Sequence, residues 1–520
     1  MNSVLKSVPP SKPNQGNQKK TANDEIATLR SEELVIALAG PIGSGAALVR
    51  EEIEQALRDR GYRVVLIKVS GLIADSAAKA SIDIAAPETG SPEFQRIHIL
   101  QTQGNALRRI LGDDAGAQLA IDAISTDRSA ENPNVELAEL LPPRVAYIVD
   151  QLKHPREAIL LRHVYGSIFF LVGLLCGYDR RKRNLSANMT AEEAVKLIER
   201  DKAESDQNGQ QLEKALKLAD YFLRNTHQNS QLLKKAVRRF VGLVHADSGI
   251  TPTRSEYGMA AAYSASLKSA CLSRQVGAAI LDRHGNLVST GCNDVPRAGG
   301  GLYESPLSTD HRCVFRDGGR CFNDQRKDML RDDIAKALVK EGLPQEQAKR
   351  YAEVIRSNTG LKDLIEFSRA VHAEMDAIVR VARNGGQSVK DSFLFTTTYP
   401  CHNCARHIVA SGIRAVYFIE PYEKSLAATL HDDAIEHDPE LEPTWDATGE
   451  PTKVAFVHFE GVAPIRFDAL FSARESRKDK FGKAIRPESN NLNEKKDSVF
   501  VGDYMDLEAK IVRRLHEHLS

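Results

Sequence analysis

The run ELVIALAG, beginning at Glu33, is apolar throughout and stops at a glycine. An unbroken apolar run predicts a strand buried on both faces, since a half-exposed strand alternates. ALVREEIEQALRDRG follows with helical spacing of its apolar positions and a glycine stop, which predicts a helix. YRVVLIKVS is a second strand, and RVAYIVDQL (Arg144 to Leu152), GSIFFLVGLL and ADYFLRNT (Ala219 to Thr226) continue the series. Strand, loop, helix and strand in that order predict a parallel sheet with crossover helices. Residues 31–245 are therefore expected to form one doubly wound α/β domain. The polar segment that opens with GYDRRKRN is expected to be a mobile lid carrying a helix.

A second pattern opens near Thr251. SEYGMAAAYSASLKSACL predicts a helix, and QVGAAILD and GNLVSTGC predict strands joined by a hairpin turn at RHGN. Arg297 to Glu366 reads as a long insertion. A helix carrying His372, the strand SFLFTTTY, a helix from Cys401 and the strand RAVYFIE follow. A helix at KSLAATLHDDAI and a last strand, KVAFVHFEG, complete a unit spanning 246–471. Residues 1–30, rich in Pro, Asn, Gln and Lys, are expected to be a disordered tail. Residues 472–520 read as a loose polar linker and a short terminal helix.

Composition narrows the function. Among 520 residues, 70 Lys and Arg balance 70 Asp and Glu, which speaks against a protein that coats nucleic acid. Seven cysteines are too few and too odd a number for a disulfide framework, and suggest a reducing compartment. The first twenty residues hold no apolar core of a signal peptide, and the longest apolar run, Ser167 to Gly177, is too short to span a bilayer. A cytoplasmic location with no membrane partner is the expectation.

The candidate chemistry lies in VHAEMDAIV (371–379) and TTTYPCHNCARHIV (396–409). His372 opens one helix and Glu374 follows two residues later. Cys401 and Cys404 open another, three residues apart and so on one face. A helix N-terminus also lowers thiol pKa. One His and two Cys predict a tetrahedral Zn²⁺ with its fourth position left for water, the mark of a catalytic site. Glu374 is expected to be the general acid and base rather than a ligand. H-x-E…P-C-x-x-C is the signature of zinc-dependent nucleobase deaminases. His311, Cys313 and Cys321 in the insertion are weighed as a second, structural metal set, with irregular spacing and no evident fourth ligand.

SRQVGAAILDRHGNLVSTGCNDVP (Ser273 to Pro296), together with both zinc motifs, resembles the deoxycytidylate deaminase family. The resemblance implies a sheet between helices, a cytidine deaminase-like α/β/α domain, and hydrolysis at C4 of cytosine to give uracil and ammonia. It implies that Asn293 hydrogen-bonds the deoxyribose and that the backbone at Ala373 reads the pyrimidine edge. It also implies that the enzyme forms a homo-oligomer, commonly a hexamer. Tyr422, Lys424 and Ser425 are candidates for holding the nucleotide phosphates, with a solvated helix start as the plain alternative. Arg274 is a second phosphate candidate.

LAGPIGSGAALVREEI stands where a phosphate-binding loop belongs, after the first strand and before the first helix. Gly40 and Gly45 match G-x-x-x-x-G-K-[ST], with Gly43 and Ser44 between them as further candidate phosphate contacts, but Ala46 and Ala47 replace its lysine and hydroxyl residue. Backbone N–H groups can still bind an anion there, while phosphotransfer is not expected. Asp150 resembles a Walker-B acid and Arg180 to Arg183 a lid. A P-loop kinase-like domain followed by a deoxycytidylate deaminase domain resembles the bacterial anti-phage dCTP deaminases. That resemblance implies deamination of dCTP, and of dCMP, so that dCTP is depleted during infection, with an inhibitory small RNA as restraint. Two alternatives stand beside it: a deaminase acting on tRNA or single-stranded DNA, and a nucleotide-sensing regulatory protein.

Overall fold

The computed structural model describes residues 31–131, 144–202, 210–225, 230–306, 309–316, 318–385, 387–421, 425–439, 442–472, 478, 481–483 and 501–519. The expected N-terminal tail, most of the polar linker, Tyr422 and Lys424 lie outside the described residues.

Two six-stranded sheets carry the chain. The first contains β1 (Leu34–Ala39), β2 (Arg63–Lys68), β3 (Val145–Leu152), β4 (Phe169–Leu175) and β5 (Tyr221–Arg224). All five run parallel, with β1 between β3 and β4. Every residue of β1 and of β4 is buried, as a central parallel strand covered by helices requires. The segment expected to be a lid with one helix holds two, Tyr178–Leu185 and Ala191–Lys202.

The second sheet contains β6 (Gly277–Leu281), β7 (Leu287–Cys292), β8 (Phe393–Thr398), β9 (Ala415–Glu420), β10 (Ile435–His437) and β11 (Val454–His458), in the order β10-β11-β9-β8-β6-β7. The β6–β7 hairpin is antiparallel, as is β6 to β8, and the remaining pairs are parallel. Helices approach this sheet closely where it carries glycine. A Cβ on Gly277 would stand 1.9 Å from Ala262 O, and one on Gly291 2.2 Å from Ala373 O. No side chain fits either gap, so the helices Arg254–Ser266 and Ala373–Asn384 lie directly on the strands. The expected helix at 424–435 is short, Ala427–Leu430, and the chain then forms the edge strand β10.

The two sheets are joined by the chain's own return. After β11, the two-residue strand β12 (Gly461–Val462) pairs antiparallel with β5, so a segment following the second sheet closes the edge of the first. Beside this junction, Arg224 is 1% exposed and pairs with Asp438 at 2.9 Å and Glu442 at 2.6 Å. The terminal helix Val501–Leu519 docks on the first unit: Glu508 pairs with Arg128, which also pairs with Glu33 at 2.8 Å. Tyr504 and Met505 join an apolar cluster that includes Val35, Tyr147, Met259 and Phe395. Among the described residues, no helix is long and apolar enough to cross a membrane.

Candidate active site

His372 is the N-cap of Ala373–Asn384, and Cys401 is the N-cap of the helix His402–Ala410. Cys401 comes shortly after the C-terminal end of β8, and Val371, just before His372, bridges Asp294 just past the end of β7. Pro400 precedes Cys401, where a missing N–H breaks no ladder bond. The Cys401 Sγ lies 3.2 Å from His372 Nδ1, and the Cys404 Sγ lies 3.5 Å from the same nitrogen. One donor atom from each of the three residues falls within 4.8 Å of the other two. Among the described residues this is the one such group; His311, Cys313 and Cys321 do not form another.

The donor set fits Zn²⁺. Two thiols and an imidazole are the borderline-soft ligands zinc takes, and three of them leave one direction free. The ionisation pattern agrees. The Cys401 thiol is pushed down, first by the hydrogen bond from the Cys404 thiol and then by the His372 ring. The His372 imidazole is pushed up to about 9, chiefly by its bond to Cys401. The Cys404 thiol, which donates to Cys401 and is buried, is pushed up, so one thiolate, one thiol and one imidazole lie within reach of a single cation.

Glu374 stands beside the donors. It is 4% exposed, and its Oε2 lies 3.6 Å from Cys404 Sγ. Burial pushes its carboxyl up to about 6, against the charge of His372. A carboxyl of that kind takes and returns a proton near neutrality, as a general acid and base must.

His372, Ala373, Glu374 and Cys401 line a cavity of about 150 Å³. Arg274 and Asn293 line it too. The Asn293 Oδ1 accepts from Val276 N–H at 2.7 Å, and its Nδ2 donates to Arg274 O at 2.8 Å. The amide therefore holds the 274–276 backbone against β7, and keeps one further donor and acceptor for a ligand. Arg274 Nη1 lies 3.9 Å from Glu420 Oε2. Ser425 is placed differently: its Oγ donates to Pro400 O at 2.8 Å and caps Ala427 N–H, behind the cysteine helix.

Sequence reasoning passed over Tyr399, Asn323 and Ser368, which also line the cavity. Tyr399 precedes the Pro-Cys pair, and its hydroxyl meets His437 Nδ1 at 3.1 Å. Asn323 lies within the insertion and Ser368 just past its end, where no motif marks them. The insertion forms the helices Phe322–Lys340 and Gln345–Asn358 and contributes to the cavity wall.

Residues 252–420 match the family model described as the cytidine and deoxycytidylate deaminase zinc-binding region. The match supports a deaminase domain in this part of the chain. It is similar to the deoxycytidylate deaminase of Enterobacteria phage T2, 27% identical over 164 residues that cover 32% of this chain and 78% of that protein. The enzyme of the same name from Enterobacteria phage T4 is 28% identical over 174 residues, 32% of this chain and 76% of the relative. The crystal structure of dCMP deaminase from the cyanophage S-TIM5 in complex with dCMP and dUMP aligns at 18% identity over 40% of this chain and 99% of that one, with a TM-score of 0.23.

Proposed function

We propose that the chain hydrolyses the exocyclic amine of deoxycytidine nucleotides, with dCTP and dCMP as substrates and the deoxyuridine nucleotide and ammonia as products. One observation carries the reading: of the clustered donors His372, Cys401 and Cys404, the first two line a cavity that Glu374 also lines, inside the stretch that matches a deaminase family. Zinc held by those donors supplies the Lewis acidity that makes water acidic. Glu374 takes one proton from water and gives it to N3 of the pyrimidine as the water oxygen bonds to C4; it then takes the remaining proton from the C4 hydroxyl and passes it to the exocyclic nitrogen, so that C4=O forms as the C–N bond breaks and ammonia leaves. The Ala373 backbone reads the pyrimidine edge, Asn293 meets the deoxyribose, and Arg274 draws the phosphates to the cavity mouth. Depletion of dCTP during phage infection is the biological effect this reading expects, with a small RNA as the restraint.

The test is direct. Purified zinc-loaded chain is incubated with dCMP and with dCTP, and ammonia release and the uracil absorbance are followed. Turnover of either supports the reading, and their ratio assigns the preference. Zinc-loaded protein that turns over neither overturns it.

A further inference from the structure

The loop at 40–45 lacks the lysine of its motif, yet the folded chain brings one to it. Lys153, just past the end of β3, donates from Nζ to Gly40 O at 2.8 Å. The same Nζ lies 2.8 Å from Asp201 Oδ1. The other oxygen of Asp201 accepts the Ile42 N–H at 2.6 Å. Asp201 belongs to the helix Ala191–Lys202, the second helix of the lid, and is 1% exposed. A carboxylate thus makes, with one loop amide and one lysine, the contacts that a phosphate oxygen makes in such a loop.

The surroundings hold more donors than one carboxylate uses. Arg181, on the first lid helix, acts electrostatically on Asp201 while its Nε has no hydrogen-bond partner among the described residues. The Ser44 Oγ is likewise unpartnered, and Ser44 is 1% exposed. Two cations and an amide act on a single negative group, and an idle buried hydroxyl stands in the same loop, a set richer than a structural tie needs. The loop is also held to its lid by Asn184 Nδ2 on Gly43 O at 2.8 Å. A Cβ on Gly43 would stand 2.8 Å from Arg181 O.

We propose that the 40–45 loop and Lys153 form a seat for the phosphate groups of a nucleotide or of free pyrophosphate, which the chain fills with its own Asp201. A ligand enters only as the Ala191–Lys202 helix withdraws that carboxylate, so occupancy of the seat and the position of the lid are one equilibrium. The inference does not depend on the deaminase reading; it concerns groups at the ends of β1 and β3.

Calorimetric titration of the full, zinc-loaded chain with pyrophosphate tests it, in the native protein, Asp201→Asn, and Asp201→Asn with Lys153→Met. Any pyrophosphate taken by the deaminase cavity is common to all three. Asp201→Asn is expected to bind about tenfold tighter or to gain a site, as removal of an internal competitor requires. Lys153→Met is expected to cancel that gain. Equal binding in the native and Asp201→Asn proteins, or a gain that survives Lys153→Met, overturns the proposal. Parallel titrations with dCTP and ATP separate a nucleotide ligand from free pyrophosphate. Should Asp201→Asn not fold, hydrogen exchange of the native chain decides. Saturating pyrophosphate is expected to speed exchange across 191–202, and unchanged or slower exchange there overturns the proposal.

Discussion

The sulfur of Cys404 lies 3.6 Å from Glu374 Oε2, so a proton-carrying carboxyl stands against the donor set without being one of its three members. The arrangement separates two roles by experiment. Glu374→Gln keeps the shape and removes the ionisable oxygen. It is expected to lower deamination by about 10²–10⁴-fold while zinc content, read by metal analysis, is unchanged. Cys404→Ala is expected to lose both. Zinc loss in Glu374→Gln would make Glu374 a ligand and remove it as the proton carrier.

Gly291 sets how close the helix of His372 lies to the sheet. Its Cβ would meet Ala373 O at 2.2 Å and Ala377 N at 2.4 Å, both backbone atoms that cannot rotate aside. Gly291→Ala is expected to destabilise the chain by about 1–3 kcal/mol and to weaken zinc retention by moving His372. Gly360→Ala, where nothing lies within 4 Å, serves as the control and is expected to leave zinc retention intact. Denaturant melts and competition with a chelator measure both effects. Equal zinc retention in the two variants would detach the helix position from the metal site.

What could be read in advance follows from how local each signal is. The strands of the first sheet were legible because a central parallel strand must be apolar along its whole length, as Leu34–Ala39 is. The donors were legible because His-x-Glu and Cys-x-x-Cys each sit within one helical turn. Partnerships across the chain were not. Lys153 and Asp201 lie on separate elements with ordinary flanking residues, and only folding brings them to one loop. Gly461–Val462 is too short to alternate, so nothing local marks it as a strand of the other sheet. The terminal helix reads as amphipathic, but its sequence does not say which surface it covers.

That surface is a buried ion triad. Arg128 is 2% exposed and lies between Glu33 and Glu508. Replacing Arg128 by Met leaves two carboxylates facing each other out of water, whereas Glu508→Gln leaves Arg128 still paired with Glu33. Arg128→Met is expected to cost about 3–5 kcal/mol, and Glu508→Gln about 1–2 kcal/mol. Unfolding in denaturant is the measurement, and a larger loss in Glu508→Gln would reverse the assignment of Arg128 as the centre of the triad.

The junction between the sheets predicts a pH dependence of stability. Burial pushes the Glu460 carboxyl up to about 7, against the Arg224 N–H that it accepts at 3.0 Å. The folded state therefore holds this proton more tightly than the unfolded chain, whose carboxyl titrates near 4.5. Its contribution is complete below that value and is lost as pH rises through about 7. The loss is on the order of 2 kcal/mol, since one pKa unit corresponds to about 1.4 kcal/mol and partial solvation discounts the full shift. Asp438 does not offset it: against burial, His458 and Arg224 hold that carboxyl below its ordinary value, so its contribution is lost only at lower pH. Glu460→Gln is expected to match the native chain at pH 5 and exceed it at pH 8, as read from denaturant midpoints. Parallel pH profiles for the two proteins would mean that Glu460 is already charged at this junction.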